Sequence, residues 1–118
     1  MSTRATYRFI PDNLQFKPAI TIYIHHDGYP EGAAYYLEGV NTVEDFIRKN
    51  DRAEITPNHD VHGDTEYRYD IYQNGDITAF KREGWGENAI WEQFFNDLPD
   101  RFIETYQNTP IAKAINSN

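Results

Sequence analysis

The chain has 118 residues, 19 acidic against 11 basic side chains for a net charge of −8, and no cysteine. That length fits one domain, which buries roughly two-thirds of the surface of its unfolded chain. The absence of cysteine excludes disulfides, thiolate zinc sites and thiol catalysis, and the lack of a Lys/Arg cluster excludes the phosphate neutralisation on which direct nucleic-acid binding depends.

Met1-Ser2-Thr3-Arg4 leads straight into a strand-like run, so no signal peptide is expected. No stretch approaches the ~20 apolar residues of a membrane span, and cytoplasmic residence is the resulting expectation. Residues 3–10 alternate, with Ala5, Tyr7 and Phe9 on one side and Thr6, Arg8 and Ile10 on the other, the period of a strand. Pro11-Asp12-Asn13 marks a turn. Residues 19–26 form the clearest strand, with Ile20, Ile22 and Ile24 facing one way and Thr21, Tyr23 and His25 the other. Continuing this alternation places His26 on the isoleucine face.

Asp27-Gly28-Tyr29-Pro30 then turns the chain into a helix that Pro30 and Glu31 begin and Gly39 ends. A second helix follows a cap near Asn41-Thr42, with Val43, Phe46 and Ile47 as its apolar stripe. Residues 51–64 read as a polar loop. Residues 65–72 and 77–81 alternate on either side of Asn74-Gly75, a hairpin signal, with Tyr67, Tyr69 and Ile71 opposite Glu66, Arg68 and Asp70. Glu83-Gly84-Trp85-Gly86-Glu87 is a glycine-flexed loop. Ile90, Trp91, Phe94, Phe95, Leu98, Phe102, Ile103 and Tyr106 recur at helical spacing, broken or restarted at Pro99.

The order β-β-α-α-β-β-α predicts an α+β two-layer sandwich. Two hairpins form a four-stranded antiparallel sheet with the helices packed on one face. Residues 1–106 make the single domain, and 107–118 a loosely docked tail.

The chemistry-bearing residues cluster around residues 23–32. His25, His26, Asp27, Tyr29, Glu31 and Tyr36, with Trp85, are the candidate binding residues. Imidazole and carboxylate donors suit a metal, and a metal site forms only if His59, His62 and Asp64 converge with His26. Adjacent strand residues point apart, so His25 and His26 do not bind one ion together. The blander account has His26 hydrogen-bonded at the edge of the core and the other histidines solvated. His26–Asp27 and His59–Asp60 are the candidate acid–base pairs. No nucleophile elbow, P-loop or dinucleotide fingerprint occurs. No catalytic residue and no cofactor is assigned. The nine tyrosines suit either an interaction surface or a core in which rings replace aliphatic area.

The segment YIHHDGYPEG, after a strand opening Arg4-Ala5-Thr6-Tyr7, resembles a family of small uncharacterised proteins of phages, prophages and bacterial genomes. That family carries a His-x-Asp-Gly-Tyr-Pro-Glu-Gly motif, matched by His25, Asp27, Gly28, Tyr29, Pro30, Glu31 and Gly32. Glu66-Tyr67-Arg68-Tyr69 and the hairpin after it are similar too. The resemblance implies a mobile-element setting and carries over no catalytic residue. Joined to the acidic charge, it leads to the expectation of a non-catalytic, anti-CRISPR-like protein. Such a protein binds and inhibits or modulates a host protein, for example by occupying a basic nucleic-acid-binding groove. The alternatives are a small metal-dependent or His–Asp enzyme centred on His26 and Asp27, and a structural protein that forms a homodimer through a sheet edge.

Overall fold

The computed structural model describes residues 3–50 and 52–107. Six strands, β1 (Ala5–Ile10), β2 (Ile20–Ile24), β3 (Glu54–Thr56), β4 (Tyr67–Tyr72), β5 (Ile77–Glu83) and β6 (Ile90–Asp97), form one sheet in the order β3-β2-β1-β4-β5-β6. Helices α1 (Pro30–Leu37) and α2 (Val43–Lys49) lie between β2 and β3, and α3 (Pro99–Gln107) follows β6. A single 3-10 turn, Gly86–Asn88, precedes β6.

The sheet corrects the expectation of four antiparallel strands in two hairpins. All neighbouring pairs are antiparallel except β1 and β4, which run parallel from Ala5↔Tyr67 to Ile10↔Tyr72. A parallel pair needs a crossover connection, and the stretch through β2, α1, α2 and β3 supplies it. The anticipated polar loop at 51–64 contains β3, which pairs with β2 as Thr21↔Thr56 and Tyr23↔Glu54. The anticipated C-terminal helix from Ile90 is a strand as far as Asp97, and Pro99 opens α3 instead. The strand carries a β-bulge: Ala79 faces Phe95 and Phe80 faces Gln93, leaving Phe94 as the extra residue. The sequence itself sets Ile90/Trp91 and Phe94/Phe95 four apart, a spacing that imitates a helix, and the bulge accommodates it in a strand. The tail expected at 107–118 lies outside the described residues except for Gln107, which closes α3.

One face of the sheet holds the core. Tyr7 and Tyr69 stack at its centre with ring centroids 4.9 Å apart, a consequence of the parallel register that places them side by side. Phe46 of α2 lies 4.8 Å from Tyr7, and Phe102 of α3 lies 5.9 Å from Tyr69. Ala33 and Ala34 bring α1 down onto the same cluster of Ile22, Ile24, Ile77 and Ala79. All three helices thus cover this one face. The alternation along each strand leaves Thr6, Tyr23, Arg68, Asp70 and Arg82 on the other.

No described helix is long and apolar enough to cross a membrane.

Candidate functional site

At the end of β2 the residues singled out in the sequence form a strand-to-helix turn. Asp27 takes a left-handed conformation, φ 57°, and Gly28 N–H donates to the Thr3 carbonyl at 2.9 Å. A Cβ on Gly28 would stand 2.6 Å from Ala5 Cβ, and one on Gly32 would collide with the Asp27 carbonyl oxygen. Both glycines are therefore required by close approach of backbone. Pro30 is the first residue of α1, where its missing N–H costs nothing. The Gly28 carbonyl accepts the Tyr69 hydroxyl at 2.7 Å, which ties the turn to the core.

The Asp27 carboxylate accepts the hydroxyls of Tyr29 at 2.9 Å and Tyr36 at 3.4 Å. Burial, then its hydrogen bond to Asp27, pushes Tyr29 up to about 12. Burial and the Asp27 charge raise Tyr36 as well. Both phenols stay protonated near neutral pH and act as donors that hold the carboxylate, not as acid–base catalysts. No hydrogen bond or ion pair joins His26 to Asp27 among the described residues. His25 instead turns outward: its Nε2 lies 3.0 Å from Glu54 of β3, and its ring meets Tyr23 edge-on. Glu31 sits in the first turn of α1.

The other histidines lie on the open face of the sheet, across which the segment 57–65 is folded. His59 Nδ1 is 2.6 Å from Thr6 Oγ1, and its Nε2 is 2.8 Å from Asp70 Oδ1. With Nε2–H donating to Asp70 and Nδ1 accepting the threonine hydroxyl, all three side chains are satisfied. His59 is only 14% exposed and Asp70 18%, so His59 is not the solvated residue expected. A hydroxyl, an imidazole and a carboxylate in a row are the components of acyl-transfer catalysis. Here Thr6 is fully buried in mid-strand, where no substrate carbonyl reaches it. The row is a clamp, not a catalytic triad.

Beside it, His62 stacks flat on Tyr23 with centroids 3.7 Å apart, and the Tyr23 hydroxyl donates to both oxygens of Asp64 at 2.9 and 3.0 Å. Burial and this hydrogen bond push Tyr23 up to about 12. Arg4 Nε approaches Asp64 to 3.2 Å, without the alignment of a hydrogen bond. His25 and His62 therefore flank one tyrosine, while His59 is engaged elsewhere and His26 leaves the sheet. Among the described residues no three His, Asp or Glu side chains are placed to hold a metal ion. The convergence of His59, His62 and Asp64 with His26, on which the metal reading depended, does not occur.

Four residues that carry this face were not singled out from the sequence. Thr6 and Asp70 complete the clamp. Arg68 donates to Asp60 Oδ1 at 2.6 Å and to the His59 carbonyl at 3.3 Å while lying over Trp91 at 3.9 Å. Arg82 lies over Trp85 at 3.2 Å and donates to the Gly63 carbonyl at 2.9 Å. The signal was present in the polar alternation of Glu66, Arg68 and Asp70, which marks a face that something polar must cover.

No protein-family model, no curated protein and no solved structure matches the chain.

Proposed function

We propose that the chain is a small acidic interaction protein of the phage or prophage kind, anti-CRISPR-like in its mode of action. It binds a basic host protein through β6 and its flanks. The observation that carries this reading is residues 83–100. They hold five carboxylates, Glu83, Glu87, Glu92, Asp97 and Asp100, and no basic residue. All five are exposed. Between them stand Trp85, 65% exposed, Ile90, 66% exposed, and the exposed Phe94 and Leu98.

Among the described residues β6 is also the last strand of the sheet, so one side of its backbone offers donors and acceptors that no described strand pairs. A partner strand can pair there, with apolar anchors and charge complementarity along the same line. A Lys/Arg groove that otherwise holds nucleic acid has the matching chemistry. The resemblance of residues 23–32 to phage and prophage proteins supplies the setting, and the motif itself serves the turn rather than the contact. A second copy of the chain fits less well, because edge-to-edge pairing brings the same uncompensated carboxylates together. The enzyme alternative gains nothing from the geometry, since Asp27 is held by two tyrosines rather than by His26.

The test is a pull-down from host lysate with the native chain and with a Glu87→Lys, Glu92→Lys, Asp97→Lys variant. A stoichiometric basic partner is expected. Its capture should fall with rising salt and vanish with the variant, and added protein should release nucleic acid from it. No stoichiometric partner, or a partner retained by the variant, sinks the proposal.

A further inference from the structure

On the open face, the strands bring two guanidinium groups of this acidic protein to one pocket. Arg68 of β4 and Arg82 of β5 stand on its floor with Trp91 of β6, and His62 and Gly63 of one loop and Gly86 of another form its walls. The pocket has a volume of about 350 Å³, at the small end of the range for ligand sites. Each guanidinium lies over an indole, Arg68 over Trp91 at 3.9 Å and Arg82 over Trp85 at 3.2 Å from the ring centroid. That contact anchors the fork and leaves its edge of N–H donors free to point elsewhere.

The donors are underused. A guanidinium carries five N–H groups. Among the described residues Arg82 spends one side-chain donor, on the Gly63 carbonyl. Arg68 uses Nη2 for the His59 carbonyl and Asp60, and its Nε is shielded from solvent with no partner among the described residues. That Nε is closed to a ligand as well as to solvent, so Nη1 is the Arg68 donor left for one, and an unsatisfied donor on a charged group is costly. So is the approach of two like charges, and the pKa of Arg82 is lowered, chiefly by burial, with Arg68 adding to the lowering against the opposing pull of Glu66 and Asp64. The one carboxylate in the pocket, Asp60, is 81% exposed and hangs on a surface loop. It takes Nη2 of the Arg68 fork, and no described side chain accepts from Arg68 Nη1.

We propose that this pocket is a binding site for a small oxyanion, a carboxylate or phosphate group received by the donor edges of Arg68 and Arg82. An oxyanion seated there accepts two or more charge-assisted hydrogen bonds. It also relieves the repulsion between the guanidinium groups and bridges β4 and β5 to the loop at Gly63. The pocket shares Gly86 and Trp91 with the 83–100 surface invoked above, and Arg82 rests on its Trp85, but oxyanion binding is read from the pocket's own signals and needs no protein partner.

The test is a nuclear magnetic resonance titration of the native protein with inorganic phosphate and, separately, with acetate. The observed signals are the Trp91 indole N–H and the arginine Nε–H groups. Saturable shifts confined to Trp91, Arg68 and Arg82 are expected, and the probe that saturates first identifies the preferred oxyanion. Asp60→Asn, an exposed change that leaves the sheet intact, is expected to tighten binding severalfold by freeing Nη2 of the Arg68 fork. Arg82→Lys keeps the charge but loses the fork and is expected to weaken binding about tenfold or more. Shifts that grow without saturation through the millimolar range, or that spread to Arg8 on the same face, overturn the proposal. So does an affinity that Asp60→Asn leaves unchanged. Because the native titration and Asp60→Asn do not depend on the folding of Arg82→Lys, the outcome is decisive either way.

Discussion

The sheet face beneath the helices and the face beneath the 57–65 segment alternate residue by residue along the same strands, yet different forces hold them. On the first, Tyr7, Tyr69, Phe46 and Phe102 pack ring against ring with backbone brought close by Ala33, Ala34, Gly28 and Gly32. On the second, Thr6, His59, Asp70, Tyr23 and Asp64 form named hydrogen bonds under a loop that has no apolar layer of its own. The helical face depends on volume, so it is sensitive to a single added methyl group. The loop face depends on partners, so it is sensitive to the loss of one polar atom while tolerating change in size.

Substitutions can separate these two rules. The largest effect is expected from Gly32→Ala. In an ordinary helix that change stabilises by about 1 kcal/mol, but here the new Cβ collides with the Asp27 carbonyl oxygen. A loss of about 3 kcal/mol is expected from the denaturant midpoint, at the upper end of overpacking costs. A neutral result would mean that the turn yields and is not held by close approach. A smaller loss, about 1–3 kcal/mol, is expected for His59→Ala, which strands the Thr6 hydroxyl and the Asp70 carboxylate. Amides across 57–65 should then exchange ahead of those in β1 and β4. Unchanged exchange in that segment would show that His59 does not clamp it.

The smallest effect at ordinary pH concerns both faces. Tyr7 and Tyr69 under the helices, and Tyr23 on the loop face, have pKa values raised above the ordinary 10, chiefly by burial, as do Tyr29 and Tyr36 at the turn. A raised folded-state pKa gives stability that is fully present below the unfolded value. Stability should therefore hold to about pH 10. It should then fall as pH rises toward 12, by up to ~1.4 kcal/mol per pH unit for each fully shifted phenol. Phenolate absorbance should appear together with unfolding; ionisation that precedes loss of structure would break the assignment. Tyr23→Phe should remove only the loop face's share.

The elements that could be read from the sequence are those with local causes. α1 starts at Pro30 and stops before Gly39, whose φ is 75°, and α2 is capped by Thr42, which accepts the Asp45 N–H at 3.2 Å. The alternation in β1, β2 and β4 gave the faces of Tyr7, Tyr23 and Arg68. β3 could not be read, because its one large apolar residue, Ile55, is 72% exposed and its pairing comes from β2. β6 misled because its apolar residues recur at helical spacing, which a bulge accommodates in a strand. The parallel pairing of β1 with β4 leaves no local trace at all. Of the candidate residues, His25 with Tyr23, and Asp27 with Tyr29 and Tyr36, were close in sequence. The Thr6–His59–Asp70 clamp and the Arg68–Arg82 pocket join parts of the chain that only tertiary structure brings together.

That parallel pair has a consequence for time. The first half of the chain supplies β3-β2-β1 and the second supplies β4-β5-β6, each a meander of antiparallel neighbours. The halves meet along one seam whose partners, such as Ala5 and Tyr67, stand 62 positions apart. Short-range hairpins such as β1-β2 and β4-β5 form early, while a contact of that span waits for the closure of the whole intervening segment. The stacked Tyr7 and Tyr69 straddle this seam, so the centre of the finished core is expected to be among the last places to assemble.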